Sequence, residues 1–176
     1  MSERPAAGSI RPAEAPDAAA VRAIYAPFVE DTAVSFEVDV PSIDDFRQRI
    51  AATPTWLVHE TDGAVDGYAY AGPWRGRCAY DWAVELTVYL AEGARGRGVG
   101  RALLEAVADA ERERGLVQAF AQIALPNEAS EGLFRSCGFE HVGTMRRVGF
   151  KLGAWHDVSI WQRELVDPPA TPIRPR

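Results

Sequence analysis

The chain of 176 residues is 47% apolar, 25% charged and 10% aromatic, which excludes a disordered polymer and supports one globular domain. A formal charge of −6 excludes a whole-surface nucleic-acid binder, because phosphate affinity needs net or strongly patched positive charge. Only Cys78 and Cys137 are present, so a disulfide framework and a four-cysteine zinc site are excluded, and no apolar run is long enough for a membrane-spanning helix.

Residues 1–8 are small and polar and are expected to be disordered. Met1–Ile10 lacks the apolar stretch of a secretory leader, which makes a reducing cytoplasm the expected setting. Ser9–Arg11 reads as a short strand. Asp17 is placed to cap a helix reaching about Val29, with Val21, Ile24, Tyr25 and Phe28 on one face. Pro27 sits late enough to end or bend it. Ser42, with Asp45 three residues on, resembles a capping box, and Ile43, Phe46 and Ile50 follow at helical spacing. Thr55–Thr61 and Asp66–Trp74 are predicted strands joined at Asp62-Gly63.

Asp81–Leu90 alternates most clearly. Trp82, Val84, Leu86, Val88 and Leu90 occupy one face; Asp81, Ala83, Glu85, Thr87 and Tyr89 occupy the other. The glycine-rich stretch 93–100 follows. A helix to about Arg114 comes next, with Val99, Leu103, Ala106, Val107 and Ala110 inward and Gly115 as its stop. Ala119–Leu125 is a further strand. Asn127 caps a short helix carrying Leu133 and Phe134 and ending at Gly138. Residues 140–150 and 155–165 form a predicted hairpin around Gly153. The proline-rich segment 166–176 is expected to be a loose tail. The pattern is mixed α+β, a single domain over 9–165.

A strand ending in a glycine-rich turn that opens a helix is an anion site, because glycine lets a ligand approach the backbone and the first helical N–H groups point outward. No Gly-Lys pair exists, so the P-loop is excluded, and the dinucleotide pattern GxGxxG fails from both Gly96 and Gly98. Arg95, Arg97 and Arg101 make a local positive spot on an acidic chain. All but Lys151 of the 19 basic residues are arginine, a skew read as genomic base composition.

The run Arg95-x-x-Gly98-x-Gly100 after a strong strand resembles the pyrophosphate-binding turn of the GCN5-related N-acetyltransferases (GNAT). Residues 72–90, Leu125-Pro126-Asn127 with Ser130, Gly138-Phe139 and 148–162 resemble, in the same order, the phosphinothricin and methionine sulfoximine N-acetyltransferases. The resemblance implies the GNAT fold, a central splayed mixed β-sheet flanked by helices. It implies acetyl-CoA as co-substrate, no metal, and direct transfer to the amino group of a small amino-acid-like acceptor. The expected partners are that amine and a second copy of the chain in a homodimer, with no nucleic acid and no membrane.

Acetyl-CoA would lie along Val88, Tyr89 and Leu90 and against Arg95, Gly96, Arg97, Gly98, Val99, Gly100 and Arg101, with Asn127 and Ser130 nearby. Glu85 matches the proposed general base, acting directly or through water; the plain alternatives are a solvated edge glutamate or a partner for Arg77. The Leu90 amide matches the oxyanion donor. Asn127 would touch the pantetheine arm or the acceptor, or serve only as an N-cap. Phe36, Glu37, Trp74, Arg75, Arg77 and Tyr80 match the acceptor pocket, Arg77 being favoured for the acceptor's anionic group; for Trp74 and Trp155 a core role is the favoured reading over ligand contact. Lys151, Trp155, His156 and Asp157 sit in the closing strands. Phe134 stands where relatives carry Tyr or His, so the departing thiolate would be protonated by solvent, by another group such as Tyr89, or not at all. His59, His141 and His156 show no metal-ligand spacing. Other amines (a polyamine, an amino sugar, a protein terminus) and a non-catalytic acyl-CoA sensor remain as alternatives.

Overall fold

In the computed structural model, which describes residues 8–175, seven strands and four α-helices follow one another along the chain. They are β1 (Ser9–Pro12), α1 (Ala18–Glu30), α2 (Ile43–Ala52), β2 (Thr55–Thr61), β3 (Ala64–Pro73), β4 (Ala83–Leu90), α3 (Val99–Glu113), β5 (Gln118–Ala124), α4 (Glu128–Ser136), β6 (Glu140–Lys151) and β7 (Ala154–Glu164). The strands form one sheet in the order β1-β2-β3-β4-β5-β7-β6. Every pairing is antiparallel except β4 with β5.

That exception shapes the molecule. The parallel ladder holds only Ala83–Glu85 against Gln118–Phe120. Beyond Glu85 the two strands part, and the rest of β4 pairs on one side only, with β3.

The period of two along β4 divides its side chains between two cores. Val84 and Leu86 pack with Leu103, Leu104 and Val107 of α3. On the other face, Tyr68 and Val58 pack with Val21, Tyr25 and Val29 of α1 and Phe46 of α2. Each fully buried aliphatic side chain contributes about 1.5–3 kcal/mol. Ser42 and Asp45 cap α2 reciprocally, the Asp45 N–H donating to Ser42 Oγ and Asp45 Oδ2 accepting from the Ser42 N–H.

The predicted strands and helices occur in their predicted order, with local differences. Asp17 precedes α1 but makes no cap bond; its carboxylate accepts from Arg11 at 2.7 and 2.9 Å and from the Glu14 N–H. Arg11 pairs with Glu60 as well, and the two arginine bonds hold the Asp17 carboxyl below the usual carboxylate range. Pro27 lies inside α1, which runs on to Glu30. Val29 is fully buried on that helix, whereas Phe28 is half-buried. On α3 the inner face turns through Leu104, Ala108 and Glu111, with Ala106 and Ala110 only half-buried. Glu111 is tolerated inside because Arg114 donates to both its oxygens. β3 starts at Ala64, β4 at Ala83 and β5 at Gln118. The segment read as a loose tail is irregular through 165–175, yet it lies against the sheet: Trp82 Nε1 donates to the Ile173 carbonyl and Arg174 pairs with Asp81. Of the N-terminal segment 1–8, residues 1–7 lie outside the described residues.

Candidate active site

The parting of β4 from β5 exposes backbone in mid-sheet. The Ala91 N–H donates to the Asp66 carbonyl, and the Trp74 N–H to the Ala83 carbonyl. In an antiparallel ladder hydrogen-bonded pairs alternate, so the odd-numbered residues of β4 bond to β3. The even-numbered ones, Val88 and Leu90 among them, point their N–H and C=O groups away from β3. Past Glu85 no β5 partner stands there. Peptide groups in such a gap need a partner. A narrow pocket there is lined by Val34, Leu86–Tyr89, Gln122–Ala124, Asn127, Ser130 and Phe134.

One end of this gap is the glycine turn. Residues 95–98 are exposed and Val99 and Gly100 buried. Gly96 and Gly98 have φ of 71° and 84°, the left-handed region that side chains with a Cβ disfavour. Gly98 is the residue from which α3 starts. Its conformation turns the first helical N–H groups outward, where no intrahelical carbonyl can serve them. Arg95 lies over the Phe28 ring, 5.2 Å from its centroid, and Arg97 reaches the Gly93 carbonyl at 3.4 Å. Exposed amides, a helix N-terminus and flanking arginines fit a diphosphate, and the open β4 edge fits an amide-bearing arm. Asn127 Oδ1 accepts from the Ser130 N–H at 3.1 Å, so it is an N-cap that also lines the gap.

On the opposite face of β4, Glu85, Thr87 and Tyr89 look into a cavity of about 340 Å³. Its walls are Val34, Ser35 and Phe36 from the α1–α2 loop, Tyr70 of β3, Gln122 and Ala124 of β5, and Met145, Val148 and Val158 of the last hairpin. Glu85 is half-buried and its Oε2 accepts from Gln122 Nε2 at 3.0 Å. Burial raises its pKa above the usual carboxylate range, against smaller opposing effects of Gln122 and the Arg75 charge. Its partner is therefore Gln122, not Arg77. Burial likewise pushes the Tyr89 phenol well up, beside Tyr25 and Tyr70.

The other residues expected at an acceptor site separate. Phe36 lines the cavity, whereas Glu37 turns to Arg49 at 2.8 Å. Trp74 stacks on Phe120 with centroids 4.2 Å apart, and Arg75 lies over Trp74 at 4.7 Å. Trp74 and Tyr80 line a second, apolar groove with Trp82, Val117 and the tail prolines Pro168, Pro169 and Pro172. Arg77 is exposed at the start of a short turn and lines neither cavity. Trp155 is not core; it is 61% exposed beside Phe150.

Phe134 is buried edge-on to Phe139, 5.0 Å between centroids, and offers no proton to the gap. His59 pairs with Asp66, His141 with Thr144 and His156 with the Lys151 carbonyl. Among the described residues no metal-binding cluster exists, and no helix is long and apolar enough to cross a membrane. Sequence reasoning missed Gln122 and the Val34–Ser35 wall. A polar residue in the otherwise apolar Ala119–Leu125 was the available signal for Gln122.

Comparison with known proteins bears on this geometry. A family profile described as an acetyltransferase (GNAT) domain matches residues 10–161. A phosphinothricin N-acetyltransferase of Streptomyces viridochromogenes is 41% identical over 171 residues, covering 94% of this chain and 93% of its own. An L-methionine sulfoximine/L-methionine sulfone acetyltransferase of Pseudomonas aeruginosa is 36% identical over 163 residues, covering 89% and 94%. A crystal structure of a phosphinothricin acetyltransferase from Sinorhizobium meliloti in complex with acetyl-CoA is similar at a TM-score of 0.90 and 35% identity, covering 94% of this chain and 93% of that one.

Proposed function

Since this chain belongs to the GNAT acetyltransferase family, we propose that it transfers the acetyl group of acetyl-CoA to the amino group of a small amino acid of the phosphinothricin or methionine sulfoximine kind. The observation that carries this reading is the position of Glu85. It is the last β4 residue joined to β5, and it sits where the cavity on one face meets the gap leading to the glycine turn.

Acetyl-CoA supplies an activated thioester. The backbone of residues 95–101 holds its diphosphate, with Arg95, Gly96, Arg97, Gly98, Val99, Gly100 and Arg101 contributing amides or charge. The free edge of Val88–Leu90, with Asn127 and Ser130 opposite, receives the pantetheine arm. An amino acid's amine is mostly protonated at neutral pH and attacks only after losing that proton. Gln122 occupies Glu85 Oε2, leaving Oε1 to take the proton, and the raised pKa suits Glu85 to this exchange. The Leu90 N–H, turned into the gap, is the donor for the carbonyl oxygen that gains charge during attack. The thiolate departs without a protein donor, as its modest pKa permits. Tyr89 keeps its proton throughout the neutral range, so its hydroxyl serves as a fixed dipole.

Phe36 walls the acceptor site. Arg75, whose charge is felt at Glu85, favours an anionic acceptor. The chain is proposed to work as a homodimer. The supporting feature is the apolar surface of the last hairpin, where Val148, Phe150, Leu152 and Trp155 are all at least half exposed. An exposed free thiol at Cys78 suits a reducing compartment such as the cytoplasm.

The test is thiol release from acetyl-CoA across a panel of amines. Phosphinothricin or methionine sulfoximine is expected to give the highest kcat/KM; a polyamine or amino sugar turned over far faster than either overturns the acceptor assignment.

A further inference from the structure

The cavity beside Glu85 owes one wall to a loop that has no secondary structure of its own. Residues 31–41, between α1 and α2, carry Val34, Ser35 and Phe36 into that wall. Irregular backbone is mobile unless tied down. Two ties run from this loop to the last hairpin, far away in sequence.

Lys151, the last residue of β6, is the first. It is only 8% exposed, and its Nζ donates to the Ser35 carbonyl at 2.7 Å. Burial lowers its pKa, so holding the ammonium there has a cost that must be offset by what it holds. The Phe36 ring against Gly149 is the second tie. A Cβ on Gly149 would fall 2.2 Å from Phe36 Cε2, so only glycine lets the ring lie on that strand. Ser35 extends the connection inward: its Oγ accepts from the Glu37 N–H at 3.1 Å and lies 2.5 Å from the Tyr25 hydroxyl.

We propose that Lys151 and Gly149 form a latch that holds the Val34–Phe36 wall against the closing hairpin, making Lys151 a positioning residue for the acceptor in the transfer reaction. Lys151 does not line the cavity; it acts through the Ser35 carbonyl. The inference rests on the acceptor site proposed above. It further says that acceptor affinity is governed from outside that site, and that the hairpin and the loop respond together.

Lys151→Met keeps the apolar stem and removes the donor. Its acceptor KM is expected to rise about tenfold or more, as for a lost charged hydrogen bond, with kcat and acetyl-CoA KM within about threefold of wild type. Hydrogen exchange is expected to quicken at the amides of 33–37 and to stay unchanged along α3. Gly149→Ala, which displaces Phe36, should reproduce both effects, and the double variant should fall short of the product of the singles. An acetyl-CoA KM that rises as much as the acceptor KM, or unaltered exchange at 33–37 in Lys151→Met, overturns the proposal. If Lys151→Met does not fold, Gly149→Ala decides it by the same readouts. Should the wild type acetylate no amino acid, the acceptor reading fails, while exchange still reports whether the latch exists.

Discussion

In the reaction proposed for this chain, the two faces of β4 would contribute different materials. Towards α3, residues 86–101 form one continuous stretch that offers peptide groups at a strand edge, a left-handed turn and a helix start. Towards the last hairpin, the cavity is assembled from side chains on β3, β4, β5, the α1–α2 loop and the β6–β7 pair. Backbone recognition depends on conformation and tolerates many side chains. A side-chain cavity changes character with each substitution. The first face therefore suits a ligand common to a family, and the second suits the partner that distinguishes its members.

Substituting Glu85 should produce the largest effect and marks the boundary between the faces. Glu85→Gln is expected to lower kcat by about 10²–10⁴, the usual contribution of a general base. It should leave the acetyl-CoA dissociation constant unchanged by calorimetry. The wild-type rate should climb with pH as Glu85 loses its proton, with a midpoint above the ordinary carboxylate range, and Glu85→Gln should lack that limb. A carboxyl whose pKa is raised by folding contributes stability below its unfolded pKa and loses it as pH rises through the folded value. At pH 7 the glutamine variant should accordingly melt no lower than wild type. Weakened coenzyme binding in this variant would show that the faces are not separable.

The same contrast explains what could be read from the sequence. The turn, the helix after it and Glu85 lie within one short segment, so periodicity and glycine placement located the strand, turn and helix, and the family resemblance singled out Glu85. Gln122, Ser35 and the Lys151 tie are contacts across 37 and 116 residues of chain, which no local pattern encodes. Asp17 misled for a related reason: a carboxylate before a helix reads as a cap, yet Arg11, six residues away on β1, claims it. Proline content forecasts the irregular backbone of the tail but not its contacts with Trp82 and Asp81. Trp74, Arg77 and Tyr80 share one segment, and loop geometry leaves all three outside the cavity that Phe36 lines.

On the coenzyme face, backbone should matter more than charge. Gly98→Ala forces a Cβ into a left-handed residue, a strain of about 1–2 kcal/mol that the turn relieves by shifting its amides, equivalent to roughly a tenfold rise in acetyl-CoA KM. Arg97 and Arg101 are exposed, and exposed charges contribute about 0.2–1 kcal/mol each, so Arg97→Gln with Arg101→Gln should raise that KM only a few-fold and less at high salt. Acceptor KM should be untouched in both. A double arginine variant weaker than Gly98→Ala would mean that this face, too, works by side chains.

Phe134→Tyr asks the smallest and finest question. The ring is 4% exposed, edge-on to Phe139, and it borders the gap alongside Asn127 and Ser130. A hydroxyl there would reach the region of the departing thiolate or be trapped against Phe139. A thiol pKa near 8.5 makes the thiolate an adequate leaving group, so kcat by thiol release should change by less than about threefold. A trapped hydroxyl costs about 1–3 kcal/mol, so a lowered melting temperature with unchanged kcat is the expected pair of results. If kcat instead rose tenfold with stability intact, proton delivery would limit turnover, and Phe134 would be the one coenzyme-side side chain that sets the rate.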